Sequence, residues 1–146
     1  MPLLSLALIS LHITANLIWV GSIIAVGIIV ARAAWAPSEP IRRITGGLAL
    51  SIYRSVATPA FIVSFLSGAT RIALSPTEYA HMHWFHAKLA IAIVVIGLHH
   101  VIGAQARKTS LGATRSPTST SILTAILAVC ALGISILVVF RTALVP

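Results

Sequence analysis

The chain has 146 residues, of which 58% are hydrophobic and only 8% are charged, whereas about 25% of the residues in a typical soluble domain are charged. A mean hydropathy of +1.04 excludes a disordered chain and a two-domain soluble enzyme, because so short a chain cannot bury this many aliphatic side chains. The net charge of +8 comes from basic residues scattered between apolar segments, which excludes a nucleic-acid partner and indicates an integral membrane protein in a lipid bilayer.

Four long apolar segments follow one another, and each reaches the roughly 20 residues that an α-helix needs to cross a bilayer. The predicted helices cover about residues 3–31, 48–74, 84–106 and 121–140. The alternating pattern of membrane strands is missing from the sequence, so the predicted fold class is an all-α, four-helix transmembrane bundle. The linkers are short and contain Pro, Ser or Gly, so we expect antiparallel neighbours in a single domain, residues 1–146.

The first segment places polar side chains inside an apolar helix. His12, Asn16 and Trp19 are three or four residues apart and therefore share one helix face. An ionisable residue in lipid costs on the order of 3 kcal/mol, so His12 is predicted to be a ligand or a proton-handling group. The alternative is a neutral imidazole that only shares a hydrogen bond with a neighbouring helix. Asn16 is a candidate for orienting His12, and Trp19 is typical of packing.

The second segment contains Arg54, one turn before Thr58 and Pro59. Proline lacks a backbone N–H, so Pro59 is expected to kink the helix. The Arg54 side chain either extends to the membrane surface or pairs with a carboxylate of a substrate or cofactor. Ser67 and Gly68 are small enough to let another helix approach closely.

The third segment is rich in basic side chains, with His86 and Lys88 near its start and His99 and His100 further on. Lys88 and His99 share one face and lie about 16 Å apart along the axis, whereas His100 points away and is interpreted as structural. Lys88 either extends to the surface or takes part in the chemistry.

The first and third helices should run parallel, which places His12 and Lys88 at similar depth, within about 6 Å by helical rise. His86 should lie shallower and His99 deeper. Imidazoles on two helices of a bundle are the arrangement that holds haem iron. His12, His86 and His99 are therefore the candidate metal ligands.

Loop charge predicts the orientation. The first and third linkers and the helix ends beside them carry most of the basic residues, namely Arg32, Arg42, Arg43, Arg107, Lys108 and Arg115. The opposite side has Arg71 and Arg141. The positive-inside rule then places these two linkers in the cytoplasm and both termini outside it. The two acids, Glu39 and Glu78, lie in linkers, which excludes a site of paired carboxylates.

Several short stretches together resemble a known family. They are Leu11-His12-Ile13 with Trp19-Val20-Gly21, then Thr58-Pro59-Ala60-Phe61 with Ser67-Gly68, then His83-Trp84-Phe85-His86-Ala87-Lys88-Leu89 and finally Leu98-His99-His100. In this order and spacing, the chain resembles the HemJ family, within the wider HemJ/CopD-like group of small membrane proteins, over about residues 11–108.

The resemblance implies a bacterial inner-membrane protein that binds haem b and oxidises protoporphyrinogen IX to protoporphyrin IX. It implies that His12 is an iron ligand or lies beside the haem, and that Lys88 acts as a base or as a propionate partner. The expected cofactor-binding residues are His12, Asn16, Arg54, His86, Lys88 and His99. Electrons would pass to an acceptor that the sequence does not identify, and the glycine-rich helices favour a homo-oligomer.

Two other functions stay open. One is a CopD-like copper-handling protein that uses His81, His83 and His86. The other is a haem-binding or accessory membrane subunit without porphyrinogen oxidase activity. A purified protein without a haem spectrum but with stoichiometric copper would favour the first, and co-purification with a larger complex would favour the second.

Overall fold

A computed structural model describes residues 3–114 and 116–140, apart from the side chains of Glu78 and Ala80. Within this part of the chain all regular structure is helical: α1 (Leu3–Ala33), α2 (Glu39–Ile52), a π-helical turn (Tyr53–Ala57), α3 (Thr58–Leu74), the short α4 (Pro76–Ala80), α5 (His83–Ser110) and α6 (Pro117–Val139). Arg115 and Arg141, which entered the charge comparison, and both termini lie outside the described residues.

Four helical spans of the described chain are long and apolar enough to cross a membrane: Leu3–Ala33, Glu39–Leu74, His83–Ser110 and Pro117–Val139. Large apolar side chains such as Leu17, Phe65, Ile93 and Val129 are exposed on the outer faces of these helices, as a lipid environment requires. The predicted all-α four-helix bundle is confirmed.

The second span begins at Glu39, well before the predicted Leu48. Ser38 is extended and Pro40 occupies the first turn of α2, a position where the missing N–H of proline costs nothing. Glu39 then pairs with Arg43 one turn later, with 2.7 Å between the carboxylate and guanidinium atoms. The sequence prediction followed apolar residues only and therefore missed these polar first turns, which extend beyond the apolar span.

The middle of this span contains the π-helical turn, directly before Pro59. Thr58 donates both its backbone N–H and its hydroxyl to the carbonyl oxygen of Tyr53, the hydroxyl over 2.9 Å. These two bonds satisfy a carbonyl that the widened turn would otherwise leave without a partner. A π-helical turn is a recognised cause of helix bending. It lies next to Pro59, where the sequence predicted a kink.

Helix α1 is the centre of the bundle and packs against α2, α3, α5 and α6. Its side chains Ile23, Val26 and Val30 are buried against residues such as Ile102 and Leu127. Beyond the π-helical turn, α3 packs mainly on α1, whereas α5 packs on α2, α6 and α1 and scarcely contacts α3. The α3 and α5 backbones therefore make few close approaches, although Phe61 of α3 packs on His99 and His100 of α5. The end of the bundle where α1 begins is called here the Ser5 end.

At the opposite end, called here the Thr109 end, α2 and α5 approach each other closely at Gly46. A Cβ atom on Gly46 would lie 2.5 Å from the backbone nitrogen of Ser110, whereas a Cβ atom on Gly47 would meet nothing within 4 Å. Only the first glycine is therefore required by the packing of the two backbones.

We expect Gly46→Ala to lower the free energy of unfolding by about 1–3 kcal/mol, because α2 and α5 must move apart to admit the methyl group. Gly47→Ala is the matched control and should be neutral or stabilising by up to about 1 kcal/mol, through helix propensity alone. Unfolding of the two variants in mixed detergent micelles measures both values. Equal effects of the two substitutions would contradict this packing.

Candidate functional site

The imidazole of His12 leaves α1 and binds to the backbone of α3. Its Nδ1 atom lies 2.8 Å from the carbonyl oxygen of Ser64 and 3.3 Å from the hydroxyl of Ser67. A carbonyl oxygen can only accept a hydrogen bond, so Nδ1 carries the hydrogen and donates it to Ser64. The Nε2 atom of the neutral ring therefore keeps its lone pair. Metal-binding histidines are typically held in this way, with one nitrogen donating to a carbonyl and the other facing the metal.

Gly68 provides the surface on which this imidazole lies. A Cβ atom on Gly68 would be 2.8 Å from Cε1 of His12 and 3.1 Å from Nδ1. Any larger residue at this position would displace the ring from Ser64. The small residues at 67 and 68 predicted a close approach of another helix, and here the approaching group is the side chain of His12.

Lys88 reaches the same region from α5. Its side chain is half-buried, and α5 packs directly against α1, which carries His12. Helices α1, α3 and α5 thus contribute to one site, which consists of His12, Ser64, Ser67, Gly68 and Lys88 and is called the His12 site below.

Asn16 lies one turn from His12 on α1 and is half-buried. Its side-chain amide donates to the backbone carbonyl oxygen of His12 over 2.9 Å. The hydrogen bond therefore remains within α1 and supports the backbone beneath the imidazole, not the ring itself.

His99 is completely buried, with 0% of its surface exposed, and it joins α5 to α1. Trp19 donates its indole N–H to Nδ1 of His99 over 3.1 Å. Tyr53 and Phe61 pack on the imidazole with centroid distances of 4.9 Å and 5.1 Å. Gly103 makes room for Tyr53, because a Cβ atom there would overlap the tyrosine ring.

The indole bond fixes the tautomer of His99, which is the reverse of that of His12. An indole N–H can only donate, so Nδ1 accepts and the neutral ring carries its hydrogen on Nε2. That Nε2 atom is buried and has no hydrogen-bond partner among the described residues. To bind a metal through Nε2 while Trp19 still donates to Nδ1, the ring would have to become an anion. The geometry thus favours His12 as the neutral ligand and makes His99 a buried hydrogen-bond donor.

The other candidate residues are exposed. Arg54 is an exposed residue of the π-helical turn, and His86 is exposed in the first turn of α5, where its ring packs on Phe85. His81 and His83 are also exposed. Across residues 3–114 and 116–140, no three side chains of His, Cys, Asp or Glu are grouped as a metal-binding cluster.

Arg71 belongs to the same α1–α3 contact but was assigned only to the charge count in the sequence. Its guanidinium group donates to the hydroxyl of Ser5 on α1 and lies 6.0 Å from the ring centroid of Tyr79. Arg71 follows Ser64 by seven residues and Ser5 precedes His12 by seven. This heptad spacing on both helices is the signal by which Arg71 could have been found.

We expect Trp19→Phe to lower the free energy of unfolding by about 1–2 kcal/mol, because the buried His99 imidazole would lose its hydrogen-bond partner. Trp35→Phe is the matched control, since Trp35 is 76% exposed and should have almost no effect. Detergent unfolding monitored by circular dichroism compares the two variants. A Trp19 variant as stable as the Trp35 variant would show that the indole bond contributes nothing.

Comparison of the chain with protein-family models, with curated proteins and with solved structures finds no match in any of the three. The resemblance to the HemJ family accordingly stays a prediction from the sequence.

Proposed function

We propose that the chain is a haem b-containing membrane oxidoreductase that oxidises a tetrapyrrole, in the manner that its resemblance to the HemJ family implies. The single observation that carries the proposal is the hydrogen bond from Nδ1 of His12 to the carbonyl oxygen of Ser64, at 2.8 Å. It leaves an Nε2 lone pair on a half-buried ring of α1, the helix that packs against both α3 and α5.

The residues present fit such a cofactor. Haem b needs an imidazole nitrogen for its iron, a slot with apolar walls and cations for its two propionates. The His12 site offers the nitrogen, and Lys88, half-buried on α5, offers a cation. The macrocycle would lie between α3 and α5, whose backbones make few close contacts. The buried rings of Trp19 and His99, packed with Phe61, would close the inner side of this space.

Bound haem b would supply one-electron chemistry, and the residues of the chain have separate tasks around it. His12 holds its ring in one orientation through Ser64. As a cation, Lys88 would bind a carboxylate of the tetrapyrrole; only as a neutral amine would it accept a proton that leaves the tetrapyrrole during oxidation. The buried aromatic side chains exclude water from the deep side of the site. The electrons removed from the tetrapyrrole would have to go to an external oxidant, the unidentified electron acceptor of the proposed reaction.

We further propose a bacterial inner-membrane location with the Thr109 end in the cytoplasm. Arg107 and Lys108 lie in the last turn of α5, and Arg42 and Arg43 lie in the first turns of α2, which faces α5 at Gly46. The excess of basic residues at this end supports that orientation through the positive-inside rule. The His12 site would then open towards the outer leaflet. Self-association through exposed apolar faces is part of the same proposal.

The purified protein, loaded with haem b, should show the Soret band of a histidine-ligated haem. We expect His12→Ala to abolish or shift this band, because the iron loses its nitrogen ligand. His81→Ala is the matched control, since His81 is exposed between α4 and α5 and should keep the wild-type spectrum. A colourless but folded wild-type protein, or an unchanged spectrum in His12→Ala, would refute haem ligation by His12.

Oxidase activity has its own test. Wild-type protein should restore growth to a bacterial strain that lacks its protoporphyrinogen oxidase, and Lys88→Ala should fail to do so while it retains the haem spectrum. Lys108→Ala removes the same charge from an exposed position and should complement fully. Failure of the wild type would refute the oxidase activity, and full complementation by Lys88→Ala would remove Lys88 from the mechanism.

A further inference from the structure

We infer that Arg71 binds a propionate carboxylate of the proposed haem b and so selects haem with free propionates over haem whose propionates are esterified. This inference rests on the proposed function, because it assigns a residue of the chain to the anionic edge of the proposed ligand. The sequence interpretation had placed this role on Arg54 and Lys88 and had not considered Arg71.

The Arg71 guanidinium is held in place by its neighbours. It is half-buried, it donates to the hydroxyl of Ser5, and the ring of Tyr79 lies 6.0 Å from it. Ser5 is itself buried, so the contact crosses the α1–α3 interface and does not lie on the outer surface. A side chain fixed on two sides loses little further freedom when it binds a ligand.

Arg71 lies along the same α1–α3 interface as His12. Ser5 lies seven residues before His12 on α1, and Arg71 lies seven residues after Ser64 on α3. Seven residues correspond to about 10 Å of helical rise, or nearly two full turns. The Arg71 guanidinium and the His12 imidazole therefore both lie along the α1–α3 interface, about two helical turns apart. This separation is comparable to the distance from the centre of a tetrapyrrole to its carboxylates.

The guanidinium of Arg71 has more hydrogen-bond donors than its described contacts use. Arginine has five N–H donors arranged to bind a carboxylate with two parallel bonds. Within residues 3–114 and 116–140, Arg71 contacts the hydroxyl of Ser5 and the ring of Tyr79, neither of which is an anion. Among the side chains that the structure describes, the single ion pair joins Arg43 to Glu39, at the other end of the bundle. Arg71 thus keeps N–H donors that can bind an anion other than these described side chains, such as the carboxylate of a ligand.

A merely structural role is the competing explanation, in which Arg71 ties α1 to α3 through Ser5 and extends to the membrane surface. The two roles differ in one respect. A structural residue affects every tetrapyrrole equally, whereas a carboxylate-binding residue matters only when the carboxylates are free.

The experiment measures the affinity of the full-length protein in detergent for haem b and for haem b dimethyl ester, whose propionates carry no charge. The wild type should bind haem b more tightly than the ester. Arg71→Gln should weaken the binding of haem b about tenfold or more and leave the binding of the ester unchanged. Arg71→Lys, which keeps the charge but loses the paired donors, should fall between the wild type and Arg71→Gln.

Arg107→Ala is the matched control, because Arg107 is an exposed arginine at the Thr109 end and its loss should change neither affinity. Circular dichroism of each variant establishes that the helices remain folded. Equal weakening of both ligands by Arg71→Gln, or no weakening of either, would overturn the role of Arg71 and leave haem binding intact. A wild type that binds neither ligand would overturn the proposed function itself, and this inference with it.

Discussion

The hydrogen bond from His12 to the carbonyl oxygen of Ser64 is the interaction on which the site depends. It assigns the proton of the imidazole to Nδ1 and leaves the lone pair on Nε2. It also ties the polar face of α1 to α3, where Gly68 leaves room for the ring. In a bilayer such a bond has no competition from water, so the imidazole keeps one orientation before any ligand arrives. An aqueous surface histidine with the same neighbours would exchange its partners freely.

The bundle contains a second buried imidazole, that of His99, which has the opposite tautomer. The two rings therefore differ in which nitrogen donates and which accepts a hydrogen bond. His99 accepts from Trp19 and keeps its hydrogen on Nε2, inside an aromatic group that also packs the π-helical turn against α5. His12 presents a lone pair, and His99 presents a donor. Seven residues separate His12 from Trp19 on α1, which places the two imidazoles about 10 Å apart in depth. The free nitrogen of His12 is thus suited to a metal ion or a hydrogen-bond donor, whereas the N–H group of His99 is suited to an acceptor.

The sequence was sufficient to predict four membrane-spanning helices, because lipid imposes length and apolarity on each of them. It was also sufficient to select His12 and Lys88, because ionisable residues in apolar helices stand out. The partners of these residues could not be predicted. Ser64 acts through its backbone oxygen, which every residue type possesses, and the tautomers of His12 and His99 depend on which atom of a neighbouring helix lies opposite. Trp19 was interpreted as a packing residue because its spacing does not reveal a hydrogen bond to a helix 80 positions later. The polar start of α2 could not be predicted from hydropathy, because hydropathy identifies only the apolar part of a helix that crosses the membrane.

The most direct test of the account replaces the imidazole of His12 with a free one. His12→Gly should leave a space between α1 and α3 beside Ser64 and Gly68, and the variant should bind haem b without the spectrum of a histidine-ligated iron. Added imidazole should enter this space and restore the wild-type absorption spectrum, whereas the same addition to wild-type protein should change little. If the His12→Gly variant keeps the wild-type haem spectrum without imidazole, His12 does not bind the iron and the central claim is wrong.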